Sequence, residues 1–297
     1  MRAMLRLVGW LATALLVACS GPPMPTEGPS VGPSDMASPT PSAAPSPTSD
    51  PSPRLAADVL LRMQRTGGFL NPGTALDVPP SFTLYGDGSV IYLPSTAPEF
   101  GAAGSGGGLR RALMNQEQID ALLNFALGPG GLAEAGERYS DVPIADALTV
   151  VFIIDAAEVS KTVSVYALGD EMEAGPETAH RERFKQLAQV LGGFENEIAR
   201  GNAADAGEYE PQAYRVTIFP DEFGEIAPSG DWPWDDLAPD DFPRNQSGFG
   251  IRVVSPDQAA PLFEIPPSDE VGDPVVVGPD DITYLIRYRP LLPDEMP

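Results

Sequence analysis

A chain of 297 residues with 42 acidic and 18 basic side chains carries a formal charge of −24 at neutral pH. That balance argues strongly against nucleic acid as a partner, because binding it requires Lys and Arg to neutralise phosphates, and against a domain lying flat on anionic lipid. Cys19 is the single cysteine, so no intramolecular disulfide can form, and stability must come from a hydrophobic core that a domain of this length can bury.

The chain starts with Met1, Arg2 and Arg6, followed by an apolar run from Leu7 to Ala18 interrupted only by Gly9 and Thr13. A basic start and a short apolar stretch are the layout of a secretion signal. About twelve apolar residues fall short of the roughly twenty that a spanning helix needs. In Leu16-Val17-Ala18-Cys19 a small residue directly precedes the lone cysteine, and this resembles the lipobox of bacterial prolipoproteins. The resemblance implies that residues 1–18 are removed, that Cys19 is diacylated on sulfur, palmitate being the expected acyl group, and that it becomes the mature N-terminus. The protein would then sit on the outer face of the cytoplasmic membrane, or on an outer membrane where the cell has two. One acyl chain binds only marginally, at about 0.8 kcal/mol per buried methylene; the two or three chains implied here suffice. The alternatives are an ordinary signal cut elsewhere and an anchor that is never cleaved. Without residues 1–18 the chain keeps 16 bases against 42 acids.

Residues 19–53 read as the lipidated N-terminus and a tether. From 20 to 53 there are 11 Pro and 8 Ser, no aromatic residue, and only Glu27, Asp35 and Asp50 are charged. Such a segment cannot bury enough apolar surface to offset chain entropy, so it is expected to be disordered and extended. In the polyproline conformation its reach is at most on the order of 100 Å. A bare spacer is the simplest reading; O-glycans on its Ser and Thr are the alternative.

The folded part is expected from about Arg54 onward. Val59 to Gln64 reads as a first strand ending at Gly67-Gly68. Phe82-Thr83-Leu84-Tyr85 and Val90-Ile91-Tyr92-Leu93 flank Gly86-Asp87-Gly88-Ser89, a hairpin signal because Asp and Gly accept positive φ. Gly101 to Gly108 is expected to be a flexible loop. Asn115, with Gln118 three residues later, predicts a helix start. Ile119, Leu122, Leu123, Ala126 and Leu127 then share one face, and Gly128-Pro129-Gly130-Gly131 ends the helix. Leu148 to Ile154 is apolar on both faces apart from Thr149, as in a central buried strand. Thr162 to Leu168 alternates, with Val163, Val165 and Ala167 on one face. A second helix from about Glu177 to Leu191 carries Phe184, Leu187, Ala188 and Leu191 as its stripe.

Two successive ββα units predict an α+β fold, an antiparallel sheet with two main helices packed on one face, over residues 54–205. Residues 206–297 read as an acidic, β-rich, Pro- and Asp-rich lobe packed on the first, the alternative being that they complete the same sheet, with strands at Tyr214 to Phe219, Phe249 to Val254 and Ile282 to Arg289. A short helix is expected between Pro256 and Phe263.

Few residues suggest chemistry. His180 is the only histidine and falls in the first turn of an Arg-rich helix, away from any nucleophile-elbow motif. One histidine, and a cysteine committed to lipid, do not make a zinc site. Paired carboxylates of a hydrolase cannot be picked out among so many acids, whose simplest role is a solvated face. Asp231-Trp232-Pro233-Trp234-Asp235-Asp236 is the most distinctive local sequence. Its first reading is loop tryptophans capping the core; its second is Trp232 and Trp234 stacking on sugar rings or facing a cation. Asp240 and Asp241 lack EF-hand spacing. Asn245-Gln246-Ser247 matches a glycosylation sequon that reads as coincidence in a bacterial setting. Gly86-Asp87-Gly88 is a turn, because no helix N-terminus follows to cradle a phosphate. No catalytic, cofactor-binding or metal residue is assigned, and no cofactor is expected.

Thr66-Gly67-Gly68-Phe69, the hairpin Phe82-Thr83-Leu84-Tyr85-Gly86-Asp87-Gly88, and Arg289-Pro290-Leu291-Leu292-Pro293-Asp294-Glu295 resemble, in the same order, segments of a group of bacterial exported lipoproteins with no assigned activity. The resemblance implies one architecture over nearly all of residues 60–295 and brings no functional residues. The expectation is a membrane-anchored envelope lipoprotein, not an enzyme, that binds an envelope protein or glycan. A glycan-binding module using Trp232 and Trp234 is the first alternative, and a carboxylate-dependent hydrolase the second.

Overall fold

The computed structural model describes residues 57–68, 78–95, 108–170, 177–221 and 226–297, all within one compact unit, Pro51–Pro297. The signal segment, Cys19, the tether and nearly all of the loop expected from Gly101 to Gly108 lie outside the described residues.

The fold is α+β, with two sheets. The first contains β1 (Val59–Gly67), β2 (Phe82–Tyr85), β3 (Ser89–Tyr92), β4 (Arg110–Leu113), β5 (Arg138–Tyr139), β6 (Leu148–Ala156), β7 (Val159–Tyr166) and β8 (Ala204–Glu208). Their spatial order is β5-β7-β6-β1-β2-β3-β4-β8, antiparallel throughout except between β5 and β7. The apolar run at Leu148–Ile154 lies in β6, between β1 and β7, with Val150, Val151 and Phe152 all buried. The predicted hairpin forms as β2–β3, and the two strands expected around Leu148 to Leu168 pair as a second hairpin, β6–β7. The first turns at Gly88, whose φ is +84°. Asp87 Oδ1 accepts the Ser89 N–H at 2.9 Å. A Cβ on Gly88 would collide with the Met114 carbonyl oxygen, so this turn requires glycine both for its dihedral and for space.

Two long helices, α1 (Gln116–Leu127) and α2 (Thr178–Gly192), and the short α3 (Phe194–Ala199) complete this layer. Asn115 and Gln118 form a reciprocal cap: each side chain accepts the other residue's backbone N–H, at 3.0 and 2.9 Å. Helix α1 buries Ile119, Leu122, Leu123 and Ala126, and α2 buries Phe184, Leu187 and Leu191. These side chains share one core with Leu61, Met63, Phe82, Leu84, Val90, Tyr92, Phe152, Val163 and Val165. Strand alternation puts Tyr85 and Ile91 on the opposite sheet face, where they cluster with Leu109 and Leu292. Helices therefore cover one face, and the end of the chain covers part of the other.

The second sheet comprises β9 (Tyr214–Pro220), β10 (Gly230–Asp231), β11 (Gly250–Val254), β12 (Val275–Val277) and β13 (Thr283–Pro290), in the order β10-β12-β13-β9-β11. Helix α4 (Pro256–Ala259) continues into a 3-10 turn, Ala260–Glu264. This sheet has its own core, including Val216, Ile218, Trp234, Phe242, Leu262 and Ile286. Strand β8 spans the expected boundary between residues 205 and 206. It pairs with β4 at the edge of the first sheet, while the second sheet starts at Tyr214.

Candidate functional site

The two tryptophans singled out in the sequence lie against the second core. Trp234 is 7% exposed and Trp232 is half-buried. Their rings meet edge-on with centroids 5.2 Å apart, and both contact Phe242, at 6.0 and 5.6 Å. Each indole N–H is already used. Trp232 Nε1 donates to the Leu237 carbonyl at 2.6 Å, and Trp234 Nε1 to the Gln258 carbonyl at 2.7 Å.

The most concentrated polar network forms where the chain ends. Leu291 and Leu292 are fully buried, and the 3-10 turn Pro293–Glu295 delivers two carboxylates to arginines on both sheets. Asp294 Oδ1 accepts from Arg62 Nη2 on β1 at 2.6 Å and from the Tyr85 hydroxyl on β2 at 2.7 Å. Arg62 Nε also donates to Thr83 Oγ1 at 3.1 Å. Glu295 takes a bidentate pair from Arg289 on β13, at 2.7 and 2.9 Å, and accepts the Leu292 N–H at 3.0 Å. The Tyr209 hydroxyl donates to the Leu291 carbonyl at 2.8 Å; burial and the nearby Glu295 and Asp294 push it up to about 12. This clasp joins the second strand system to the helix-free face of the first.

Electrostatics at the clasp favour charged carboxylates. Burial works against the ionised form of Asp294 and Glu295. The hydrogen bonds and positive charge of Arg62 and Arg289, with the Tyr85 hydroxyl, nonetheless hold both below the usual carboxylate range. A carboxylate with a lowered folded-state pKa stabilises the fold above its unfolded pKa, about 4, and loses that contribution as pH falls through the folded value. The stability gap between wild type and an Asp294→Asn/Glu295→Gln variant should therefore be constant above about pH 5 and shrink in stronger acid. Urea melts at stepped pH check it; a gap that widens on acidification reverses the sign and rejects this assignment.

Asp273 behaves oppositely. It is fully buried, and burial pushes its carboxyl upward against the opposing Arg287, whose Nε donates to Oδ2 at 2.7 Å. Oδ1 has no hydrogen-bond partner among the described residues. His180 is half-buried, with its ring 5.7 Å from Tyr139 and 6.3 Å from Phe184, in an aromatic contact on α2. Its neighbour Arg181 is 5% exposed and donates to the carbonyls of Tyr166 and Tyr139. A helix-face arginine tying α2 to β5 and β7 was not legible from the apolar stripe. Asp241 Oδ2 accepts the Ala238 N–H, and Asn245 Oδ1 accepts from Ser247 and Phe249; both side chains hold turns. Among the described residues no group of three His, Cys, Asp or Glu side chains is placed to hold a metal, and no helix is long and apolar enough to cross a membrane. Cys19 lies outside the described residues.

Two of the concave surfaces among the described residues border the clasp and the helices. One, of about 620 Å³, runs beside the clasp and is lined by Asp87, Arg111, Glu208, Glu210, Pro293 and Met296, among others. The other, of about 550 Å³, lies between α1 and the α2–α3 break, with the half-buried Phe125 and Val190 over the buried Leu122 and Phe194, and Glu117 and Glu197 among its polar residues. Compared with known families, curated proteins and solved structures, the chain has no match.

Proposed function

We propose that this chain is an exported lipoprotein, held at a membrane by acyl chains on Cys19, whose folded domain binds an envelope partner and is not a catalyst. The observation that carries the reading is Leu16-Val17-Ala18-Cys19 at the end of a short apolar run behind Arg2 and Arg6, with a Pro- and Ser-rich tether following. Lipid attachment fixes the N-terminus, and the tether gives the domain reach towards partners away from the acidic-repelling lipid surface.

The reading of the domain as a binding module draws on where its polar chemistry is used. A hydrolase of the two-carboxylate type needs an acid with a raised pKa facing a cleft. Asp273 has the raised pKa, but it is fully buried and engaged by Arg287. Asp294 and Glu295 are committed to Arg62 and Arg289. Both tryptophans spend their N–H groups on backbone carbonyls, which favours core packing over sugar stacking. The open grooves are left as recognition surfaces.

Cell fractionation of a Cys19→Ala variant tests the attachment. The expected result is protein released from membranes or retained at precursor size. A Cys19→Ala protein that is processed to mature size and still sediments with membranes overturns it.

A further inference from the structure

We propose that the groove beside the clasp binds a short peptide by its two charged ends, the carboxylate on Arg111 and the ammonium at Glu210. The inference rests on the reading of the domain as a binding module and names the ligand class of one site. Strand register puts the groove on the helix-free face of the first sheet. Arg111 on β4 pairs with Ile91 on β3, and Ile91 clusters with Tyr85, Leu109 and Leu292 on that face. The end of the chain supplies another part of the lining. Its turn commits Asp294 to Arg62 and Glu295 to Arg289, while Pro293 and Met296 line the open space of about 620 Å³. That volume is within the roughly 300–1,000 Å³ of small-molecule sites.

The charges in this groove are uncompensated. Arg111 is exposed and makes neither an ion pair nor a hydrogen bond among the described residues, although the chain carries a net −24. Its sequence neighbour Arg110, by contrast, is paired with Asp205. Glu208 and Glu210 also line the groove, are exposed, and likewise have no ion pair among the described residues. A simple anion would gain Arg111 and be repelled by the carboxylates; a simple cation would meet the reverse. A ligand carrying both signs satisfies both, and the planar guanidinium fork matches a carboxylate. Register then sets the spacing. Glu208 on β8 stands opposite Arg110 in an antiparallel pair. Glu210, two residues further on, is therefore about three residues, or roughly 10 Å, from Arg111 along the strands. An extended tripeptide spans roughly the same length.

Three probes test this by calorimetric titration into the full chain: trialanine, its N-acetyl derivative and its C-terminal amide. Trialanine should bind saturably, and blocking either end should weaken it about tenfold. Arg111→Gln should weaken trialanine by a similar factor and no longer distinguish it from the amide, while still preferring it to the acetylated peptide. Glu210→Gln should do the converse. Arg138→Gln removes the same charge from an exposed position on β5, at the other edge of the sheet, and should bind as wild type. Circular dichroism melts establish that each variant is folded. The proposal is overturned if trialanine does not bind saturably, or if the blocked peptides bind as tightly. It is equally overturned if Arg138→Gln weakens binding as much as Arg111→Gln, or if either groove variant stays as sensitive as wild type to the end it should no longer read. None of these outcomes depends on Cys19, so failure here leaves membrane attachment standing, and a failed fractionation experiment leaves this site standing.

Discussion

Replacing Asp294 by Ala should cost about 3–5 kcal/mol of folding stability, the range for removing one member of a buried ion pair. The Arg62 side chain is only 10% exposed and that of Asp294 20%. Losing the carboxylate would strand a guanidinium against β1 and leave the Tyr85 hydroxyl, which donates to the same oxygen, without an acceptor. An orphaned buried donor retains its desolvation penalty, which is why the single substitution is so damaging. Arg62→Met combined with Asp294→Leu should recover part of the loss, because the apolar pair strands no charge, while the Tyr85 hydroxyl still lacks its acceptor. Urea unfolding at neutral pH measures both. The single variant should shift the midpoint without changing the slope. If Asp294→Ala unfolds at the wild-type midpoint, the clasp contributes nothing to the fold.

Trp234→Ala should cost a similar amount, about 3–5 kcal/mol for truncating a buried tryptophan. The cavity would open among Trp232, Phe242 and Leu262 of the second core, and the Gln258 carbonyl would lose the indole N–H. At 2–4 °C per kcal/mol for a domain of this size, the melting temperature should fall by roughly 10 °C. Trp232→Ala should cost less, since that ring is half-buried. The experiment separates two roles for the Asp231–Asp236 segment. A sugar-stacking tryptophan would leave melting unchanged and abolish retention on cell-wall material; a core tryptophan does the reverse.

How far the fold was legible depended on whether a segment's partners were local. The hairpin at Gly86–Ser89 was readable because its turn residues and alternating flanks lie within a dozen positions, and the observed register pairs Phe82 with Tyr92 across it. The capping box at Asn115 and Gln118 was readable for the same reason. Strand β6 announced itself through apolar residues on both faces, as expected where both faces of a sheet are covered, and Val150, Val151 and Phe152 are all buried. By contrast, β4 (Arg-Arg-Ala-Leu) and β8 (Ala-Asp-Ala-Gly-Glu) have no strand-like composition. They are strands because β3 presents an edge to β4 and β4 presents one to β8, a non-local cause. Arg181 is similar: a charged residue on the apolar side of α2 makes sense only once the Tyr139 and Tyr166 carbonyls are placed opposite it.

Sequence alone determined the α+β class and the two helices with their buried faces, because these depend on composition and short periodicity. Only the tertiary structure decided how the polar residues are spent. Asp294 and Glu295 read as two more acids in an acidic tail until they meet Arg62, more than two hundred residues earlier, and Arg289 on the last strand. That the indole N–H groups of Trp232 and Trp234 go to the carbonyls of Leu237 and Gln258 was not readable from the sequence. The groove lined by α1 and the α2–α3 break likewise brings together residues distant in sequence. A side chain's environment is set by what folds against it, and in this chain the decisive neighbours are distant in sequence.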